Sequence, residues 1–197
     1  MAVSPANHLS DLVASAARAV HRGEIVAFPT ETYYGLAVDA LDASALARLF
    51  ALKGRGAEQA SALLVADMAM FAGLCAEVPS RALSLAAAHW PGPLTIALPA
   101  RSDLPAEIVS DGCVAARVSS HPVAEALVAA VGHPITCTSA NPAGASPART
   151  AHEVAEYFAG RPLFLLDGGK TPGGAPSTLV RLRGDALQIL RQGAISL

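Results

Sequence analysis

The sequence contains few charged and few aromatic residues, and neither kind is concentrated in one segment. Charged residues make up 15% and aromatic residues 5% of the 197 positions. The 14 basic and 16 acidic residues give a formal net charge of −2, and there is no basic run. Because nucleic-acid binding depends largely on clustered positive charge, we do not expect a large RNA-binding surface.

Cysteine is scarce, and long apolar runs are missing. Cys75, Cys113 and Cys137 are odd in number and far apart in the sequence, which favours reduced thiols over a disulfide framework or a zinc site. No apolar run approaches the roughly 20 residues that cross a bilayer, and the N-terminus lacks a charged region before a long apolar stretch. We therefore expect a soluble, unprocessed cytoplasmic protein with no membrane contact.

Hydrophobic residues make up 52% of the chain, enough for one substantial core. We expect a single domain over 1–197, with its core at about 9–195, and an α/β fold with a mixed parallel and antiparallel sheet, since several strands follow one another near the C-terminus. Ser10 is the expected cap of the first helix, and Gly23 its stop. The periodicity predicts helices at 9–20, 42–52, 80–88, 123–131 and 150–158, and strands at 25–28, 62–65, 94–98, 114–118, 135–138, 163–166, 177–182 and 186–190.

Polar residues follow the first predicted strand. The segment 30–35 offers two threonine hydroxyls, a carboxylate and two phenols around a glycine, enough to bind a small polar ligand. The alternative is a turn whose polar residues cap a helix. Further on, Lys53 and Arg55 leave one loop and can converge on an anion such as a triphosphate, or can be a solvated helix end.

Two later positions combine polar groups with apolar strands. Ser139 and Asn141 lie where a predicted strand ends in a turn, and small side chains there let a phosphate approach the backbone. Arg117 lies inside an apolar run, so it needs a carboxylate partner, either from the protein, such as Glu31, or from a ligand. Ser177 and Arg191 can add a hydroxyl and a cation to the same pocket.

The remaining candidates for covalent, acid–base or metal chemistry are few. His89 and His121 have no metal-ligand spacing to another His, Cys or acidic cluster, so we interpret both as structural. The sequence has no G-x-S-x-G motif and no clear Cys/His pair, which argues against a covalent mechanism. No metal site is predicted.

The order of these segments resembles one known family. The sequence resembles the YrdC-like threonylcarbamoyl-adenylate synthases, because the same motifs follow one another in the same order. These motifs are P-T-E-T-x-Y-G-L, K-x-R, W-P-G-P-L-T, V-A-x-R-V-x-x-H-P, T-S-A-N, and P-S-T before I-L-R-x-G-A-I. The similarity extends from about residue 23 to residue 195, as in the short, single-domain members. It implies a twisted α/β fold with a basic concave cavity.

The resemblance also implies an activity and its ligands. The enzyme would join L-threonine, bicarbonate and ATP into threonylcarbamoyl-AMP with release of pyrophosphate, and a separate transferase complex would pass the group to tRNA. By motif position, Thr32, Arg117 and Ser177 would hold threonine, and Lys53 and Arg55 would serve catalysis. The residues implied to bind the nucleotide are Lys53, Arg55, Gln59, Ser139, Asn141 and Arg191.

The expected chemistry brings anions together. A carbamate must attack an α-phosphate, so several cations are needed, and Mg²⁺ is expected with ATP although the sequence shows no dedicated carboxylate cage. The chain departs from the family at 56–61, where Gln59 can hydrogen-bond a phosphate but supplies no charge, which predicts a looser loop. Ala37 and Pro142 are lesser departures.

Two other functions are open at this point. One is a non-catalytic nucleotide- or RNA-binding module that keeps the cavity, which would agree with the altered loop. The other is a carbamoyl-transfer enzyme that acts on a different acceptor, although such proteins usually carry additional domains.

Overall fold

A computed structural model describes residues 5–54 and 60–197. The elements alternate between helices and short strands for most of the chain. Helices lie at α1 Pro5–His21, α2 Ala43–Lys53, α3 Met68–Ala72, α4 Ser80–His89, α5 Pro122–Val131 and α6 Ala151–Tyr157, with a short 3-10 helix at Ala106–Ile108. The strands are β1 Val26–Pro29, β2 Tyr34–Ala37, β3 Leu63–Leu64, β4 Leu94–Pro99, β5 Val109–Ser110, β6 Cys113–Arg117, β7 Ile135–Thr136, β8 Thr138–Ser139, β9 Phe164–Leu165, β10 Thr178–Arg183 and β11 Ala186–Arg191.

The strands form two sheets. The smaller sheet has the order β8-β2-β1-β9, and the larger has the order β11-β10-β4-β6-β3-β7, with β5 paired to β6. The pairs β1–β9, β4–β10 and β3–β6 are parallel, and the other pairs are antiparallel. The predicted α/β fold with mixed strand directions is confirmed.

Local sequence explains most helix ends. The Asp42 side chain accepts hydrogen bonds from the Ser44 and Ala45 amides, so it caps α2, and Gly54 ends that helix in the left-handed region. The first helix differs from the prediction, because it begins at Pro5, and Ser10 lies inside it rather than at its cap. Gly23, with a φ of 73°, follows that helix as expected.

Helices α1 and α5 pack together over one face of the smaller sheet. Their buried apolar side chains form a core with Val26 and Phe28 of β1. A larger core lies beneath α2, α4 and α6 and contains the inward side chains of β4, β6 and β10. No helix of the described residues is long and apolar enough to cross a membrane.

The predicted strand at 135–138 is divided in two. Strand β7 pairs with β3 of the larger sheet, whereas β8 pairs with β2 of the smaller one. Cys137, between them, donates its amide to the Ala62 carbonyl at 2.7 Å. The chain therefore passes from one sheet to the other at Cys137, and the residues after it face the space that both sheets border.

Candidate active site

A cavity of about 710 Å³ lies where residues from both sheets meet. Its described lining combines hydroxyl groups, small side chains and three arginines, with Asp111 as the carboxylate. The polar and charged lining residues are Thr30, Thr32, Tyr33, Tyr34, Ser61, Thr95, Ser110, Asp111, Arg117, Thr138, Ser139, Ser177, Arg181 and Arg191. Such a cavity is suited to a small ligand that carries negative charge.

Arg117, the last residue of β6, forms a buried ion pair with Glu31. The two side chains are 8% and 13% exposed. The second Glu31 oxygen accepts a hydrogen bond from the Ser119 hydroxyl. Arg117 thus has the protein partner that the sequence left open, and it also lines the cavity, where its Nη2 lies 3.4 Å from the Cys137 Sγ.

Ser177 and Arg191 lie together in the cavity wall. Arg191 donates to the Ser177 carbonyl through Nε and Nη2, at 3.1 and 3.0 Å, and to the Ser177 hydroxyl through Nη2, at 3.0 Å. The same hydroxyl lies 2.8 Å from the Thr95 hydroxyl, which is buried. Since Arg191 can only donate, Ser177 accepts from it and keeps its own proton for Thr95 or for a ligand.

The three cavity arginines are not electrostatically independent. Burial, and to a smaller degree the charge of Arg117, lowers the pKa of the Arg191 guanidinium. Arg181 forms a 3.1 Å ion pair with Asp111, whose side chain is 75% exposed. Arg117 and Arg191 therefore bring positive charge to the same cavity, while Arg181 is partly neutralised.

The loop 30–33 joins the cavity to the glycine-rich segment 168–176. The Thr32 carbonyl accepts the Gly173 amide at 2.7 Å, and the Tyr33 hydroxyl donates to the Gly174 carbonyl at 2.7 Å. The Thr32 hydroxyl lies 3.2 Å from that of Thr30. These contacts hold the predicted ligand loop against the segment that leads to Ser177.

The predicted nucleotide residues fall into three groups. Ser139 lines the cavity. Lys53 is buried, and its ammonium donates to the main-chain carbonyls of Ser139 and Asn141. The Asn141 amide donates to the carbonyls of the turn that follows, at 3.0 and 2.7 Å. Arg55 and Gln59 lie outside the described residues.

A resident metal site is not apparent in the described part of the chain. Within residues 5–54 and 60–197, no group of three or more His, Cys, Asp or Glu side chains could hold a metal ion. His121 caps α5, where its Nδ1 accepts the Val123 amide at 3.2 Å, and burial lowers its pKa.

Several residues of the site were not predicted from the sequence. Thr95 is a hydroxyl inside the apolar strand β4, and this interruption was an available signal, as it was for Arg117. Cys137 offered none, because its position depends on where the chain changes sheets. Glu31 was considered as part of the 30–35 ligand loop and as a partner for Arg117, but its link to Ser119 requires the fold.

Comparison with known families identifies the family of the chain. The family model Sua5/YciO/YrdC, described as "Telomere recombination", matches residues 18–193. The chain is a member of the Sua5/YciO/YrdC family.

Two relatives share most of this chain. The threonylcarbamoyl-AMP synthase of Pyrococcus abyssi is 39% identical over 184 residues, which are 92% of this chain and 54% of that protein. The enzyme of the same name from Halorhodospira halophila is 42% identical over 158 residues, 79% of this chain and 82% of that protein. The chain spans about half the length of the Pyrococcus abyssi relative.

Solved structures show the same fold. Sua5 from P. abyssi in complex with L-threonine has a TM-score of 0.87 and 38% identity, and the match covers 92% of this chain and 54% of that chain. YciO from E. coli has a TM-score of 0.82 at 24% identity, over 93% of this chain and 90% of that chain. The YciO similarity shows the fold alone.

Proposed function

We propose that this protein is a threonylcarbamoyl-AMP synthase that uses L-threonine, bicarbonate and ATP. The observation that carries the proposal is the cavity itself, in which Arg117, Ser177 and Arg191 converge within a fold that closely matches the L-threonine complex of P. abyssi Sua5. The names and sequence identities of the relatives support the same activity.

Threonine binding follows from the groups around Arg117. Its guanidinium is planar and permanently charged, so it suits the threonine carboxylate, and the Ser177 hydroxyl has a proton available for a second polar group of the ligand. Thr32 also lines the cavity, on the loop after β1. We assign the threonine site to Thr32, Arg117 and Ser177.

The reaction joins two anions, so its barrier contains a large electrostatic component. The threonine amine and bicarbonate give a carbamate and water. A carbamate oxygen then attacks the α-phosphorus of ATP, the bond to the bridging oxygen of the β-phosphate breaks, and pyrophosphate leaves. Arg191 and Arg117 offset the charge that collects around the α-phosphate, and positioning supplies much of the remaining catalysis.

The nucleotide would contact Ser139 and Arg191, which both line the cavity. Lys53 keeps the turn after Ser139 in place through two carbonyls, so part of its contribution is to position that turn. We retain Arg55, Gln59 and Asn141 as proposed nucleotide residues from the family motif. Magnesium belongs to this proposal as part of the MgATP substrate.

The decisive measurement is pyrophosphate release by the purified protein with ATP, threonine, bicarbonate and magnesium. We expect release that depends on threonine, together with threonylcarbamoyl-AMP detected by mass spectrometry. The same reaction without threonine or bicarbonate is the control. A folded protein that yields neither product would refute the synthase and leave a nucleotide-binding module as the better interpretation.

The cellular role is the last part of the proposal. We propose that a separate transferase complex passes the threonylcarbamoyl group to tRNA in the cytoplasm. A net charge of −2 supports weak direct tRNA binding. A filter-binding titration with tRNA tests this, and tight binding at physiological salt would contradict it.

A further inference from the structure

Each oxygen of the Glu31 carboxylate contacts another side chain of the protein. One oxygen pairs with Arg117, and the other accepts the Ser119 proton. Ser119 is itself fixed, because its hydroxyl oxygen accepts the His121 amide at 3.2 Å. Since a backbone N–H can only donate, it cannot accept the Ser119 hydroxyl proton, which is donated to Glu31 instead. Glu31 is thus held from two sides.

This arrangement determines which part of Arg117 faces the cavity. Glu31 contacts Nη1, whereas Nη2 lies beside the Cys137 Sγ. Arg117 and Cys137 line the cavity, and Glu31 is not among the residues that line it. Among the contacts of the Glu31 side chain, the one with Arg117 therefore reaches a residue of the cavity lining.

The negative charge of Glu31 also affects the repulsion between Arg117 and Arg191. Arg117 and Arg191 share one cavity, and the influence of Arg117 on the Arg191 pKa shows that their charges interact. Without a nearby anion, two guanidinium groups would repel each other, and Arg117 could adopt other rotamers. Glu31 opposes both effects because it is mostly buried and charged.

We propose that Glu31 is a positioning residue that orients Arg117 for the carboxylate of the amino-acid substrate. The proposal rests on the proposed function, since it takes threonine as the ligand of Arg117. It differs from the alternative in which Glu31 only competes with the substrate for Arg117. In that alternative, removal of the Glu31 charge would strengthen threonine binding.

The test compares Glu31→Gln, Glu31→Asp and a matched control. Glu24→Gln makes the same change at an exposed ion pair with Arg22, and neither residue is among the described residues that line the cavity. Threonine and ATP affinities are measured by calorimetry on each folded protein, and KM and kcat by pyrophosphate release. L-threoninol, which lacks the carboxylate, serves as the second ligand.

We expect Glu31→Gln to weaken threonine binding and raise the threonine KM by roughly ten- to a hundredfold, with little change in ATP affinity. Preference for threonine over threoninol should fall, because the lost interaction concerns the carboxylate. Glu31→Asp should recover part of the loss, since it keeps the charge on a shorter side chain. Glu24→Gln should match the natural protein.

Four outcomes would overturn the proposal. Tighter threonine binding by Glu31→Gln would show that Glu31 is a competitor of the substrate. An equal loss for threonine, threoninol and ATP would show a general structural role. Unchanged threonine binding, with an active natural protein, would overturn this proposal alone, whereas failure of the natural protein to bind threonine would overturn the proposed function as well.

Discussion

Removal of the Arg117 charge should destabilise the protein through the partner that it leaves behind. In Arg117→Met, Glu31 keeps the Ser119 hydrogen bond but loses its counter-ion, while its side chain remains only 13% exposed. Breaking a buried ion pair by removing one partner costs about 3–5 kcal/mol. Because Ser119 still donates to Glu31, we expect the lower end, about 3 kcal/mol.

This magnitude is large enough to measure in two ways. For a chain of this size, each kcal/mol shifts the melting temperature by about 2–4 °C, so the expected decrease is about 6–12 °C. Urea unfolding should show the same loss as a lower midpoint at unchanged slope. Arg22→Met is the matched control, because it breaks an exposed pair with Glu24 and should leave the midpoint unchanged.

A double variant separates the orphaned carboxylate from the loss of packing. Arg117→Met with Glu31→Leu replaces the pair by apolar side chains, which is often neutral for stability, so we expect recovery to within about 1 kcal/mol of the natural protein. Threonine binding should stay lost in both variants, since neither has the guanidinium. If the double variant is as unstable as Arg117→Met alone, or if Arg117→Met is fully stable, the argument from the buried pair is refuted.

Three further predictions concern other groups of the site. Thr95→Val removes the hydroxyl that lies 2.8 Å from the Ser177 hydroxyl. This change should raise the threonine KM roughly fivefold, the equivalent of about 1 kcal/mol. An unchanged KM would contradict a role for this contact. At about pH 8, a thiol reagent should label Cys137 more slowly when ATP and threonine fill the cavity. Burial, and to a smaller degree Cys113, raises the pKa of Cys75 to about 12, so Cys75 should stay unlabelled. Peptide mapping that finds equal labelling of the two thiols would refute this. Burial also raises the pKa of Tyr34 to about 12, so the unfolded chain loses the phenol proton first as pH rises above about 10. Stability should therefore fall between about pH 10 and 12, and Tyr34→Phe should make that fall shallower. Urea titrations in which the stability of both proteins falls equally with pH would contradict this.

Periodicity in the sequence was sufficient to locate most helices and strands. Helix α2 was predicted at 42–52 and lies at Ala43–Lys53, and α5 was predicted at 123–131 and lies at Pro122–Val131. Both have clear apolar spacing and a glycine at the C-terminal end. Strand β2 was missed because its four residues follow directly on the polar loop, with no separate turn signal.

Long-range contacts explain what the sequence did not reveal. The segment 135–138 contains no glycine, proline or other signal that would divide a strand. Nothing in the local sequence indicates that its two halves join different sheets. The cost of burying Arg117 predicted a carboxylate partner, but the choice between Glu31 and a ligand depended on where the loop after β1 folds. Pairing of distant segments is decided by tertiary packing rather than by local preference.

Strand β11 bounds one side of the cavity and is also the outermost strand of the larger sheet, where β10 is its neighbour among the described strands. Its residues are mostly exposed, so local opening of this edge requires less free energy than opening of the central strands. Each opening withdraws Arg191 and its three hydrogen bonds to Ser177. The cavity therefore has its full lining only while β11 stays paired with β10. A ligand that binds Arg191 would stabilise this edge of the sheet and slow amide hydrogen exchange along β11.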